Sequence, residues 1–362
     1  MLQNSPLFQL YATRLRDFYR QPARIFWVYG FPTLLAIVLG TAFQNREAEP
    51  VQVDLIEGPG ASWVDSALGA HNEALARDRV RGMRKDVPEV LLRRAPEAEA
   101  IKRLNTGKTP LVIEPKGSES IVYRYDPTRP EAAAARQTID EILQRARGRK
   151  DPVETSNLPV QERGSRYIDF LIPGLIAVNT MGGGLWGLGF LLVNLRIGKL
   201  LKRFVATPMP RRDFLLALLG ARLTFLVPDL TVLLLLGTLM FGMPIRGNLG
   251  LVILVDVAGA LAFAGIGLLV ACRTSTTEAV SGLMNLVMLP QWLFSGVFFS
   301  TDRFPDSAQP FIQALPLTQT AGALRRVILE GAGLVDVAPA LAILAAWAVV
   351  TFVLALRYFK WT

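Results

Sequence analysis

The chain has 362 residues, 51% of them hydrophobic and 19% charged, with a positive mean hydropathy, which excludes an ordinary soluble domain and indicates a membrane protein. Its 39 Lys and Arg against 30 Asp and Glu would suit nucleic acid, but basic residues of a membrane protein gather in cytosolic loops, so their location decides, and no nucleic-acid partner is expected. One cysteine, Cys272, rules out an intramolecular disulfide framework, and one histidine, His71, leaves no His/Cys cluster for zinc.

No cleavable signal is expected in the N-terminal stretch S-P-L-F-Q-L-Y-A-T-R-L-R-D-F-Y-R, which is polar and mildly amphipathic. Leu7, Leu10, Tyr11, Leu15 and Phe18 recur at helical spacing, with Arg14, Arg16 and Arg20 elsewhere around the wheel. Residues 1–24 are therefore expected to form an amphipathic helix lying on the inner membrane surface.

Apolar stretches of roughly 20 residues, enough to cross a hydrocarbon core, recur near 25–43, 168–193, 214–240, 250–271, 279–299 and 338–356. If six spans alternate, the basic residues sort to one side. Arg14, Arg16, Arg20 and Arg24 precede the first span; Arg196, Lys199, Lys202, Arg203, Arg211 and Arg212 follow the second. Arg273 follows the fourth, and Arg357 and Lys360 the last. That side is expected to be the cytosol, with both termini inside.

Residues 44–167 differ in composition and are expected outside as an α/β domain. V-Q-V-D-L-I alternates like a strand, A-S-W-V-D-S-A-L-G-A-H-N-E-A-L-A-R reads as a helix, and P-E-A-E-A-I-K-R-L-N-T-G-K as a helix closed by glycine. P-L-V-I-E-P and S-I-V-Y-R-Y follow as strands, then E-A-A-A-A-R-Q-T-I-D-E-I-L-Q-R-A-R as a helix and residues 151–164 as an extended linker. Residues 168–362 form a five-span membrane domain with an inner loop at 194–213. Its proline-broken segment 300–335 is expected as short helices re-entering the outer interface and burying Phe311, Ile312 and Leu315. The fold class is a mainly α membrane protein, six transmembrane helices with an extracytoplasmic α/β domain between the first and second.

Two nucleotide motifs fail. Gly182, Gly184 and Gly187 satisfy G-x-G-x-x-G in M-G-G-G-L-W-G-L-G, but inside a span, where close helix packing accounts for glycines. Gly107, Lys108 and Thr109 copy the end of a phosphate loop, yet residue 102 is lysine instead of the required glycine. No catalytic cluster is found: His71 reads as a solvated or half-buried helix residue and Cys272 as a small apolar one.

Charges inside spans are costly, about 2.5–3.5 kcal/mol each at mid-membrane. Arg222 is expected to snorkel towards the cytosol. Asp229 and Asp256 come out in the outer third of the bilayer, as water-accessible carboxylates or as a cation or proton site, with Pro228 opening the helix locally. Ser281, Asn285, Met288, Trp292 and Ser295 form one helical stripe on the fifth span, and Asn179, Gly182, Trp186 and Phe190 one on the second. Such faces suit protein contact or a cavity better than lipid.

A short basic N-terminal helix, F-P-T-L-L-A-I-V-L-G-T-A-F, a large outer domain, then Y-I-D-F-L-I-P-G-L-I-A-V-N, L-K-R-F-V-A-T-P-M-P-R-R-D-F, L-P-Q-W-L-F-S-G-V-F-F and L-P-L-T together resemble the membrane subunit of type-2 ATP-binding-cassette exporters over essentially the whole chain. The resemblance implies that the 194–213 loop is a coupling element docking on a separate cytosolic ATPase, with Arg196, Lys199, Lys202, Arg203, Arg211 and Arg212 orienting the encounter and Leu201, Phe204 and Val205 filling a groove. Arg196, Ile197, Gly198 and Lys199 stand where many relatives carry a glutamate. The same basic residues would also enforce topology and bind anionic lipid.

It further implies a permease with no catalytic residues, metal or cofactor of its own, ATP and magnesium sitting on the partner ATPase. A second permease copy is expected, as homodimer or related heterodimer, in a bacterial inner membrane, with an envelope adaptor as a further candidate partner. The pathway would run along the second and fifth spans, past Asn179, Trp186, Ser281, Asn285, Met288, Trp292 and Ser295, carrying a drug-like, lipid or other apolar compound outward. The alternative is a membrane-anchored sensor or assembly scaffold using the outer domain.

Overall fold

The computed structural model describes residues 6–42, 50–80, 87–117, 120–150, 166–206, 210–298, 301 and 304–358; of residues 6, 80, 204, 205, 211, 212 and 215 it describes the backbone alone. The chain divides into two compact units, Asn45–Pro159 and the remainder.

The first of these is a small α/β unit. Strands β1 (Val51–Ile56), β2 (Val90–Ala95), β3 (Leu111–Pro115) and β4 (Ile121–Tyr125) form one sheet in the order β2-β1-β3-β4. β1 pairs parallel with β2 and β3, and β4 runs antiparallel to β3. The parallel pairs need crossovers, supplied by α3 (Ala61–Val80) and α4 (Glu97–Asn105). Alternation along the strands divides the core. Val53, Leu55, Leu111 and Ile113 pack with Val64, Leu68 and Ile139 on one side of the sheet, the last from α5 (Pro130–Ala146), while Ile56 and Val112 meet Ala100 of α4 on the other.

Every strand and helix expected here forms, Gly107 closing α4 at φ +71°, and β2 is an addition that sequence reasoning missed. The expected linker 151–164 lies outside the described residues. Asp54, buried in β1, accepts from Arg103 Nε at 2.7 Å.

The other unit is helical. α1 (Pro6–Tyr19) lays its apolar side on a later helix: Tyr11 and Thr224 share a hydroxyl hydrogen bond of 2.8 Å, and the Phe18 and Phe225 ring centroids are 4.2 Å apart. α2 (Pro22–Ala42) and α6 (Tyr167–Ile197) follow, each with one wider π-type turn, at Phe26–Gly30 and Leu185–Phe190. Next come α7 (Leu200–Val205), α8 (Arg211–Leu235, extended by a π-type turn to Met240), α9 (Leu249–Ala271) and α10 (Thr277–Phe294). α11 (Gln309–Ala314), α12 (Pro316–Arg325) and α13 (Leu334–Tyr358) complete the chain.

Among the described residues five helices are long and apolar enough to cross a membrane: α2, α6, α8 from Leu216 to Met240, α9 and α13. α10 stops at Phe294, short of the expected 299, because Gly296 turns the chain out with φ +70°. Pro228 does not interrupt α8. In the proline-broken segment Ile312 and Leu315 are buried as expected, but Phe311 is exposed. α9 is the hub: Gly259 and Gly265 let Thr320 of α12 and Thr351 of α13 approach so closely that added Cβ atoms would lie 2.8 and 2.1 Å from their nearest atoms.

Candidate functional site

The glycine-rich stretch of α6 assigns a different neighbour to each glycine. A Cβ on Gly184 would stand 2.5 Å from Phe263 Cβ, and one on Gly189 2.5 Å from the Gly267 carbonyl oxygen, so these two allow backbone contact with α9. A Cβ on Gly183 would fall 1.9 Å from Arg222 Cζ. Around Gly182 and Gly187 the same test meets open space. Of the three motif glycines, Gly184 takes the expected packing role and Gly182 and Gly187 do not.

The open space is a cavity of about 830 Å³ between α1, α2, α6 and α8. Asn179, Gly182, Trp186 and Phe190, the stripe read on the second span, all line it. The stripe on α10 does not stay together. Met288 is buried and accepts the Trp186 indole N–H at 3.0 Å; Ser295 is buried, Ser281 is half-buried, and Asn285 and Trp292 are exposed. None of the five lines the cavity. Gln291, overlooked in the sequence, is buried beside them and its Oε1 accepts from the Leu317 backbone N–H at 3.3 Å, holding α10 to the start of α12.

The intramembrane charges form a buried network, which corrects the expected snorkelling of Arg222 and the expected water access of Asp229 and Asp256. Arg222 is buried and donates to Asp229 Oδ2 at 3.2 Å and to the Thr180 carbonyl at 3.5 Å. Thr180 Oγ1 donates to Asp256 Oδ1 at 2.5 Å. Neither carboxylate is water-accessible and Arg222 does not snorkel. The i, i+7 spacing of Arg222 and Asp229 puts them two turns apart on one face, where pairing offsets the cost of burial.

In the 194–213 loop, Arg196 caps α9: its guanidinium donates to the carbonyls of Ala271 at 2.7 Å, Thr274 at 2.6 Å and Cys272 at 3.1 Å, satisfying groups a helix C-terminus leaves open. Lys199 turns the chain in the left-handed region, φ +55°, into α7. Leu201, expected to fill a groove on a partner, is instead 1% exposed within the main core. The face that α7 leaves open carries Leu200, 39% exposed, with Ile197, 45% exposed, just before it and Lys199, Lys202 and Arg203 around them. Ile197 and Leu200 are not among the apolar residues expected to dock, because the left-handed turn at Lys199 between two helices sets which of these side chains is exposed. The side chains of Phe204, Val205, Arg211 and Arg212 lie outside the described residues.

Residues 23–357 match the family described as ABC-2 family transporter protein. A stretch of 172 residues, 47% of the chain, is 30% identical to ABC transporter G family member 20 of Dictyostelium discoideum, covering 23% of that protein. A stretch of 111 residues, 31% of the chain, is 30% identical to the linearmycin resistance permease protein LnrN of Bacillus subtilis (strain 168), covering 29% of it. The chain thus spans less than a third of the length of either relative. With a family match running from the first apolar helix almost to the end of the last, this membrane protein belongs to the ABC-2 transporter family.

Proposed function

We propose that the chain is the permease subunit of an exporter driven by ATP hydrolysis on a separate ATPase subunit, which holds the ATP and magnesium. Two permease copies, a homodimer or a related heterodimer, would enclose the pathway. α10 would cross as the fifth of six spans in a bacterial inner membrane, with both termini and the 194–213 loop in the cytosol. Residues 45–165 would lie outside, available to an envelope adaptor. The cargo is an apolar or amphipathic compound, drug-like or lipid, a reading supported by the resistance function in the name of the Bacillus relative.

The observation that carries this reading is the open face of the inner turn. Ile197 and Leu200 offer apolar side chains within a rim formed by Lys199, Lys202 and Arg203. Such a surface suits steering by charge and seating by apolar contact. Behind it, Arg196 ties the end of α6 to the last carbonyls of α9. A push on α7 would therefore reach two membrane helices as one body. The exposed Asn285 and Trp292 on α10 supply the edge that a second copy would cover.

The topology is tested with single cysteines at 60, 140 and 207 in a Cys272→Ser background, labelled by an impermeant reagent on intact cells. Labelling at 60 and 140 with protection at 207 is expected. Labelling at 207 with protection at the other two would overturn the reading.

A further inference from the structure

The cavity between α1, α2, α6 and α8 has a chemistry of its own. Three guanidinium groups, Arg14, Arg24 and Arg222, border it, and among the described residues no carboxylate does. Arg222 already serves Asp229. Arg14 has only a loose contact with Asp17, 4.0 Å away, and its buried Nε has no hydrogen-bond partner, nor has that of Arg222. Burial holds the Arg14 pKa below its ordinary value; Asp17 opposes this shift, and the nearby positive charge of Arg24 adds to it. Among the described residues the carboxylate facing this pair is Asp17, at the 4.0 Å limit of an ion pair with Arg14, and Arg24 is exposed, so positive charge is in excess at this end of the cavity. Apart from Asn179 and Asn194 the remaining wall is apolar and aromatic, including Phe18, Trp27, Trp186, Phe190 and Phe225. From Asn179 to Asn194 its lining follows α6 for about 22 Å at helical rise.

We propose that this cavity binds one anionic amphiphile, its carboxylate or phosphate head group against Arg14 and Arg24 and its hydrocarbon tail along the Gly182–Gly187 side of α6. A charged head that pairs with two guanidiniums and an acyl tail that fills an aromatic-lined slot are the two halves such a site requires. Gly182 and Gly187 leave the room for the tail. The site stands independently of the export reading, which decides only whether the bound molecule is cargo or a resident lipid.

The test uses the purified full-length permease in neutral-lipid nanodiscs without ATP. Palmitate carrying a photoreactive diazirine in its chain is compared with an alkyl trimethylammonium of the same length carrying the same group. The anionic probe should label peptides of α2 and α6 around Trp27 and Trp186, about tenfold more than the cationic one. Arg14→Gln with Arg24→Gln should remove that preference, and Gly182→Leu or Gly187→Leu should block labelling by filling the slot, each at equal amounts of monodisperse protein. Equal labelling by both probes on the parent protein, which needs no variant to fold, would overturn the proposal, as would unchanged labelling of well-folded Gly182→Leu. In vesicles with the ATPase and ATP, probe that is exported is cargo, and probe that stays bound is a resident lipid. Both uphold the site, and only the first bears on transport.

Discussion

The indole N–H of Trp186 and the sulfur of Met288 meet at 3.0 Å, joining α6 to α10 across 102 residues of sequence. This contact marks where two polar-aromatic stripes part. Trp186 has its other side on the cavity, while the α10 stripe straddles a burial boundary, with Met288 and Ser295 inside and Asn285 and Trp292 outside. Asn285→Leu and Trp292→Ala should therefore leave the amount of assembled complex unchanged and alter which compounds are exported, measured as flux and ATP hydrolysis on the same preparation. Unaltered flux across a substrate panel would make that edge a packing or lipid surface. Met288→Leu, which conserves volume, should cost less than about 1.5 kcal/mol of stability.

The turn into α7 separates two leucines that are neighbours in sequence. Leu200→Asp should abolish co-purification with the ATPase while the permease stays inserted and monodisperse. Leu201→Ala should lower thermal stability instead, by about 2–5 kcal/mol for a fully buried leucine. Replacing the exposed Lys202 and Arg203 with glutamine should give a milder, salt-dependent loss of binding, since exposed charges contribute little each. Equal effects at 200 and 201 on ATPase binding would contradict this division.

Arg196 tests the mechanical link. Arg196→Met keeps much of the stem and removes three hydrogen bonds to α9 carbonyls. At roughly 1.5–3 kcal/mol for a hydrogen bond to a charged group, the melting temperature should fall by several degrees. ATPase binding should persist while ATP hydrolysis becomes uncoupled from flux. Retained coupling would mean the cap is structural only.

Much of this architecture is legible in the sequence because it rests on period and length. Each apolar run became a helix, and the strands β1, β3 and β4 followed their alternation. V-L-L-R-R-A did not read as a strand because β2 is a sheet edge, where Leu91 is exposed and Arg93 and Arg94 face solvent, so alternation between core and water is blurred. Depth counting along single helices misjudged Arg222, Asp229 and Asp256, since depth does not say which neighbour a side chain meets, and Thr180 and Gly183 come from another helix. The cation loop was visible as charge, but Arg196 turned inward to cap α9, a contact set by the end of a helix 75 residues away.

Adjacent glycines offer a sharp test of the buried network. Gly183→Ala would set a methyl group 1.9 Å from Arg222 Cζ, displacing a guanidinium that is paired in the interior. The melting temperature should fall, because the shifted guanidinium pairs less well with Asp229 in the interior. Gly182→Ala meets open space and should match the parent in yield and melting temperature. Similar melting temperatures for the two variants would show that Arg222 has another place to go.

If the 194–213 loop seats an ATPase, a photoreactive amino acid at position 202 in the assembled complex in cells will crosslink to it, with position 124 of the α/β domain as the control. An adduct with a subunit identified by mass spectrometry as carrying a phosphate loop is expected from 202 and none from 124. Absence of an ATPase adduct at 202, with the permease expressed and inserted, would contradict this seating.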